Sequence, residues 1–234
     1  MIAILLPGHI RSYNYTHDNI HTKLIYPLTK AGYECRIYSS IWNNSGFREL
    51  GWNGDICTKQ IKSDSFRIEF EEHNRQYFID MYNNDRWRNY SSLSGPETCG
   101  DAASMWYKVW KSFQLIDGTP DIVFRIRPDI YFEQEFDLSA INDIKPNTVY
   151  MSNWHGKYES VTCQIMDHFG FGDFSSMKTY CSIFPNIPEI IQRNDCPCTA
   201  EGFLYSQLKH NNINISRLNL HYGVIRSHGF EKVA

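Results

Sequence analysis

The stretch DIVFRIRPDIYF, residues 121–132, constrains the fold most strongly, because it places charged side chains inside a run that is otherwise typical of a buried β-strand. Alternate side chains of an extended chain share a face. One face therefore carries Arg125, Arg127, Asp129 and Tyr131. Pro128 lacks an amide hydrogen and favours extended geometry in the residue before it, so we expect ladder pairing to end there. Asp129 would then project from the carboxyl edge of a sheet, where open α/β sheets bind their ligands.

The charged face needs a partner, because burying an unpaired charge is costly. Two guanidinium groups beside a carboxylate suit a diphosphate, which arginines grip with bidentate contacts or which a divalent cation bridges to the carboxylate. The alternative is a half-exposed antiparallel strand whose charges pair with one another on a solvated face. The strongly apolar flanks and the helices predicted on both sides favour the ligand interpretation.

The order of predicted elements favours a single α/β domain over residues 1–234. A short apolar strand, IAILL, is followed by helical spacing over residues 16–31 and by a second strand, ECRIYSSIW, which together form a βαβ unit. The run AASMWYKVWKSFQLI repeats apolar residues at helical spacing and is expected to pack behind the central strand. We therefore expect a central, mostly parallel mixed sheet flanked by helices. Residues 43–95 are expected to form a variable loop or helical insertion.

The bulk properties narrow the partners and the compartment. A net charge of −3 provides no basic field, so nucleic acid is not an expected partner. The opening apolar run is short and has no basic residues before it, so neither a signal peptide nor a transmembrane segment is expected. Seven scattered cysteines fit free thiols in a reducing, cytoplasmic compartment better than a disulfide framework.

Several segments, taken in order, resemble the small GT-A-type glycosyltransferases of polysaccharide synthesis. The segments are IAILLPGHIRSY, YSSIW, SMWYKVWKSFQLI, DIVFRIRPDIYF, DHFGFGDFSSM and TAEGFLYSQL. The resemblance covers most of the chain apart from residues 43–95. It implies a single Rossmann-like GT-A domain that transfers a sugar from a nucleotide diphosphate donor, a UDP- or GDP-sugar, to a hydroxyl of a glycan acceptor.

The resemblance also implies a set of donor-binding residues. By the resemblance, Gly8, His9 and Arg11 would contact the nucleotide. The charged face of the strand adds the residues that would bind the rest of the donor, namely Arg125, Arg127, Asp129 and Tyr131. Asp129 would ligate a divalent cation, Mn²⁺ or Mg²⁺, or else meet the ribose and phosphate. The usual Asp-x-Asp pattern is altered, because Tyr131 stands where the second acid would be, and metal dependence stays open. His228 would complete a metal shell or meet the phosphates, or it would simply lie on the surface.

Two carboxylates are candidates for the base that an inverting transfer needs to remove the acceptor proton. Asp173 follows two glycines in FGFGD, and Glu201 stands at the predicted start of the helix AEGFLYSQLKH. Each has a structural alternative: Asp173 as a helix N-cap, and Glu201 as a first-turn acid favoured by the helix dipole.

Other motifs give weaker indications of function. His17 and His21 have the i, i+4 spacing of helical metal ligands, but a solvated pair is the favoured interpretation. The phosphate-binding patterns GxxxxGK[ST] and GxGxxG are absent from the sequence, which disfavours a nucleotidyltransferase or sulfotransferase. The alternative function is a non-catalytic carbohydrate- or nucleotide-binding domain, and a carbohydrate-binding module would share the aromatic content but would not need the charged strand.

Overall fold

The computed structural model describes residues 1–10, 12–43, 54–81, 96–152, 165–193, 195–226 and 229–232. The strands are β1 Ile2–Leu5, β2 Cys35–Asn43, β3 Ser65–Glu72, β4 Ile122–Ile126, β5 Ile130–Phe132, β6 Thr148–Ser152, β7 Phe169–Asp173, β8 Asn214–Leu218, β9 Tyr222–Arg226 and β10 Gly229–Lys232. The α-helices are α1 Tyr13–Ile20, α2 Tyr26–Lys30, α3 Gly54–Asp64, α4 Arg75–Met81, α5 Pro96–Gln114, α6 Phe174–Cys181, α7 Ile183–Arg193 and α8 Ala200–His210. A π-helical turn, His21–Ile25, joins α1 to α2, and a 3₁₀ turn spans Leu138–Ile141.

A seven-stranded sheet in the order β3-β2-β1-β4-β7-β6-β8 forms the centre of the fold. All neighbours pair in parallel except β7, which is antiparallel to both β4 and β6. The expected mostly parallel mixed sheet is confirmed. The predicted insertion contributes to it, because β3 forms one edge of the sheet by pairing with β2.

Alternating side chains send the strands' apolar residues into two cores, one on each face of the sheet. Ala3 and Leu5 pack with the residues of α5 and α8, whereas Ile2 and Ile4 pack with those of α1 and α2. Both sides of β1 are therefore covered, as expected for a parallel strand at the centre of an α/β sheet.

The charged strand is interrupted where Pro128 stands, as predicted. β4 ends at Ile126, and β5 resumes at Ile130 in a different, three-stranded sheet with the order β10-β9-β5. Residues 127–129 thus form a turn between two sheets, and the small antiparallel sheet lies at the carboxyl end of β4.

In the part of the chain that is described, helices long and apolar enough to span a lipid bilayer do not occur.

Candidate active site

The candidate site lies at the edge of the central sheet where β4 ends and β7 begins. Ile126, the last residue of β4, is opposite Phe169, the first residue of β7. Because these strands are antiparallel, the turn after β4 and the segment before β7 meet at the same edge. The two segments bring together charges that are distant in sequence.

Arg127 and Asp129 form a bidentate ion pair within the turn. The Arg127 Nε and Nη2 atoms donate to the two Asp129 carboxylate oxygens at 2.8 and 2.6 Å. Burial alone would lower the pKa of Arg127, but the charge and hydrogen bonds of Asp129 raise it above its ordinary value. The backbone is fixed on both sides, since the Arg127 amide donates to the His168 carbonyl and the Ile225 amide donates to the Asp129 carbonyl. The pair is therefore held by the start of β7 and by β9.

Arg125 projects from β4 into the core beneath α5 and is fully buried. One nitrogen, Nη2, reaches Asp167 Oδ2 at 3.4 Å and Met105 Sδ at 3.5 Å. Its Nε and Nη1 atoms are buried without a hydrogen-bond partner among the described residues. A guanidinium can donate five hydrogen bonds, and a buried donor without an acceptor is costly. Arg125 thus retains donor capacity for an anionic or carbonyl-bearing ligand.

Asp167 and His168, which sequence reasoning did not single out, are buried beside the two arginines. His168 Nε2 lies 3.6 Å from Asp167 Oδ1. Burial and the positive charge of Arg127 lower the pKa of His168 to about 3, so this imidazole is neutral at neutral pH. Burial alone would raise the pKa of Asp167, but the positive charges of Arg125 and Arg127 lower it below its ordinary value. Asp167 is therefore an ionised partner of the arginine cluster.

Glu201 belongs to the same electrostatic cluster. It stands in the first turn of α8, whose N-cap Thr199 accepts a hydrogen bond from the Gly202 amide at 3.1 Å. Burial and the negative charge of Asp167 raise the pKa of Glu201 above its ordinary value. Two neighbouring carboxylates whose pKa values move in opposite directions are a common arrangement in acid–base catalysis. Of the two predicted base candidates, Glu201 is the one near the arginines.

Asp173 lies at the opposite edge of the sheet. It is the last residue of β7 and is opposite Ile122, the first residue of β4. Its carboxylate caps α6 by accepting hydrogen bonds from the Ser176 amide and hydroxyl, both at 2.8 Å. The structure therefore does not bring Asp173 together with Arg127 and Asp129. The helix-capping alternative describes its contacts.

The residues predicted to meet the nucleotide follow β1 at the carboxyl edge. Gly8 has φ +95°, a conformation that favours glycine, and its amide donates to the Ser40 carbonyl of β2 at 2.8 Å. The ring of His9 packs 5.2 Å from that of His73, which in turn lies 4.8 Å from Trp42. Tyr131 is exposed on β5. Two further predicted residues, Arg11 and His228, lie outside the described residues.

The residues around Asp129, as arranged, do not fit a divalent cation. Both carboxylate oxygens of Asp129 accept hydrogen bonds from Arg127. Among the described residues, three groups able to ligate one ion converge within 4.8 Å only at His17, His21 and Asp64, a group that does not include Asp129. The metal role predicted for Asp129 therefore has no set of partner ligands in the described part of the site.

The likeness to solved structures is informative about the fold. The galactosyltransferase LgtC, in complex with donor and acceptor sugar analogs, aligns with a TM-score of 0.51 at 10% sequence identity, over 93% of this chain and 73% of that one. Mouse xyloside xylosyltransferase 1 in its apo form aligns with a TM-score of 0.43 at 8% identity, over 93% of this chain and 85% of that one. The sequence matches no family model and no curated protein. The chain thus has the GT-A fold that was predicted from the order of its segments.

Proposed function

We propose that this protein is a glycosyltransferase that moves a sugar from a UDP- or GDP-sugar to a hydroxyl group of a glycan acceptor. The observation that carries the proposal is the buried pair of arginines at the carboxyl end of β4. Arg125 has two nitrogens without partners among the described residues, and Arg127 presents its guanidinium in the adjacent turn. The GT-A fold supports the same function, because this edge of such a sheet is where ligands bind.

In this proposal the arginines receive the diphosphate of the donor. A guanidinium matches two phosphate oxygens as well as it matches a carboxylate, so Arg127 can exchange one Asp129 contact for a phosphate contact. Arg125 supplies a second positive charge in a buried setting, where its effect on a developing negative charge is large. Gly8 and His9 lie next to the nucleoside, and Tyr131 borders the site from β5. The proposed contacts of Arg11 with the nucleotide and of His228 with phosphate rest on the sequence resemblance.

The transfer itself requires a proton acceptor. The acceptor oxygen forms a bond to the anomeric carbon as the bond from that carbon to the diphosphate oxygen breaks, and the nucleoside diphosphate leaves with the electron pair. We assign the acceptor proton to the Glu201 carboxylate, whose pKa is raised by burial and by Asp167 and which is therefore a stronger base than an ordinary glutamate. The anomeric configuration of the product, read by NMR, tests this assignment, since a single base-assisted displacement inverts it.

The experiment is a donor screen on the purified chain. UDP- and GDP-sugars are added with manganese, with magnesium or with EDTA, and both the melting temperature and the release of nucleoside diphosphate are followed. A donor must raise the melting temperature, since it binds only the folded state. Binding without turnover, with every glycan acceptor tested, would indicate the nucleotide-binding alternative, and the absence of any shift would remove the donor from the proposal.

A variant pair makes the screen specific to the site. Asp129→Asn keeps the size of the side chain but removes the charge that orients Arg127, and we expect turnover to fall at least about 100-fold. Asp143→Asn, an exposed aspartate in the segment before β6, is the matched control and should leave turnover unchanged. Undiminished turnover in a folded Asp129→Asn variant would exclude this residue from the site.

A further inference from the structure

Three side chains from two helical segments converge on the face of α1 that packs against α3. His17 lies in α1, His21 begins the π-helical turn, and Asp64 ends α3. One oxygen of Asp64, Oδ2, lies 3.2 Å from His17 Nε2 and 3.4 Å from His21 Nε2. All three ligating atoms lie within 4.8 Å of one another.

These separations match a metal coordination shell better than they match hydrogen bonds. Zinc binds imidazole nitrogen and carboxylate oxygen at about 2.0–2.1 Å, so neighbouring ligands of a tetrahedral ion are about 3.3 Å apart. An ordinary N–H···O bond is shorter, at about 2.9–3.0 Å. In addition, His21 Nε2 is buried and has no hydrogen-bond partner among the described residues. A bound cation would satisfy that nitrogen.

The surrounding groups orient the three ligands. His17 Nδ1 lies 2.7 Å from an Asp18 carboxylate oxygen, a contact that holds the proton on Nδ1 and leaves the lone pair on Nε2. The Tyr13 hydroxyl donates to Asp64 Oδ2 at 2.7 Å and fixes the plane of that carboxylate. Carboxylate–histidine pairs of this kind commonly support metal ligands in proteins.

The site is partly open to solvent. The exposed fractions of the side chains are 21% for His17, 34% for His21 and 11% for Asp64. An ion can therefore enter from the surface, and a water molecule can complete a four-coordinate shell. Two imidazoles with one carboxylate suit a zinc-like transition metal ion, whereas Mg²⁺ and Ca²⁺ prefer all-oxygen sites.

We propose that His17, His21 and Asp64 form a binding site for Zn²⁺, separate from the proposed donor site. The opposite face of α1 contacts the turn after β4 and the strand β5 that follows it. The Thr16 hydroxyl donates to the Pro128 carbonyl in the turn, and the Asn19 side chain pairs with the backbone of Phe132 in β5. A zinc ion would tie the outer face of α1 to the end of α3. Its role is to hold in position the helix that supports residues 128–132.

Calorimetric titration of Zn²⁺ into the chelator-treated, tag-free chain tests the site. We expect one ion per chain and a rise in melting temperature on binding. His21→Ala and Asp64→Asn should each weaken binding at least tenfold, and the second variant keeps the volume of the side chain. His210→Ala, which removes an exposed histidine at the end of α8, is the matched control and should bind zinc as the natural chain does.

Three further measurements separate loss of the zinc site from loss of the fold or of the donor site. Circular dichroism of the metal-free variants establishes that they are folded, and Asp129→Asn should retain full zinc affinity, which separates this site from the proposed donor site. Co²⁺ in place of zinc should give the strong visible absorption of a four-coordinate ion. Absence of stoichiometric binding, or equal affinity in the folded Asp64→Asn and His210→Ala variants, would overturn the proposal.

Discussion

Arg125 is fully buried, yet two of its nitrogens lack a hydrogen-bond partner among the described residues. Each unsatisfied buried donor costs about 1–3 kcal/mol, and a charged group costs more. Placing this arginine on a buried strand therefore lowers the stability of the fold, and an anionic ligand that accepted its hydrogen bonds would remove that penalty. Arg127 differs, because two of its nitrogens donate to the Asp129 carboxylate.

Replacing Glu201 tests the proposed base. Glu201→Gln preserves the size of the side chain but cannot accept a proton, so we expect kcat to fall about 10²–10⁴-fold. In the natural chain, kcat/KM should decline as the pH falls through the raised pKa of Glu201, and this acid limb should vanish in the variant. Steady-state rates across pH measure both effects. Glu189→Gln, an exposed glutamate on α7, should change neither, and an unaltered profile in Glu201→Gln would contradict the assignment.

Replacing Arg127 tests the diphosphate contact. Arg127→Lys keeps the positive charge but loses the bidentate fork, so the dissociation constant of the nucleoside diphosphate should rise about tenfold, or about 1.4 kcal/mol. Equilibrium binding of UDP and GDP provides the measurement. In the control Arg67→Lys, the changed arginine pairs with Asp117 on the surface, and affinity should be retained. Equal affinities in the two variants would place the diphosphate elsewhere.

Single residues of the site were predictable to different degrees. Alternation and Pro128 singled out Arg125, Arg127 and Asp129 in the sequence, but in the structure Arg127 and Asp129 lie in the turn after β4 rather than on the face of a strand. Asp167 and His168 could not be found from sequence, since their place depends on β7 running antiparallel to β4, and no local pattern encodes that direction.

At the scale of elements, α5 is joined to the edge of the sheet by a partly buried ion pair. Lys108 is fully buried, and its Nζ lies 2.6 Å from Glu71 Oε2 on β3 and 4.1 Å from the centre of the Trp42 ring. Apolar periodicity predicted the helix, but it gave no sign of a lysine turned inward. Its partner, Glu71, lies 37 positions away in the sequence, and pairing over that distance depends on tertiary structure.

A mutant cycle on this pair tests how it stabilises the fold. Glu71→Gln leaves the buried ammonium of Lys108 without its counter-charge, and we expect a loss of about 3 kcal/mol in the free energy of unfolding. Lys108→Met in the same chain should restore part of that loss, because the unpaired charge is gone. Denaturant titrations of Glu71→Gln, of Lys108→Met and of the double variant supply the energies. Additive effects, with no recovery in the double variant, would show that the two residues do not interact.

At the scale of the whole molecule, the buried cluster couples stability to pH. His168 has a folded-state pKa of about 3, well below the ordinary value near 6.5. As the pH falls between these values, the unfolded chain takes up a proton that the folded chain excludes, so stability decreases by up to about 1.4 kcal/mol per unit. Glu201, whose pKa is raised, acts in the opposite direction over the acid range.

Substitution of His168 isolates the contribution of this residue to the pH dependence of stability. His168→Phe removes the titrating group from a site where its Nδ1 has no hydrogen-bond partner among the described residues, so the urea midpoint should vary less between pH 6.5 and 4. His210→Phe, at the exposed end of α8, should keep the natural dependence. If the two variants followed the same curve, protonation of His168 would not be what destabilises the chain in acid.

The architecture as a whole was more accessible from sequence than the site. The βαβ opening and the buried strand predicted a mostly parallel sheet, and the order of segments predicted the GT-A fold. Residues 43–95 were expected only as a variable loop or helical insertion, so the edge position of β3 became clear only from its pairing with β2. The start of β7 meets the end of β4, so Asp173, at the end of β7, lies away from the arginines and Glu201 is the nearer carboxylate. This direction of β7 is a property of the assembled sheet.

A crystal structure of the chain with UDP or GDP bound tests the central claim most directly. The account predicts diphosphate oxygens within hydrogen-bond distance of the Arg127 guanidinium and of Arg125 Nε and Nη1, which have no partner among the described residues, with the nucleoside beside Gly8. A nucleotide bound away from the end of β4, with both arginines still paired only to protein groups, would contradict it.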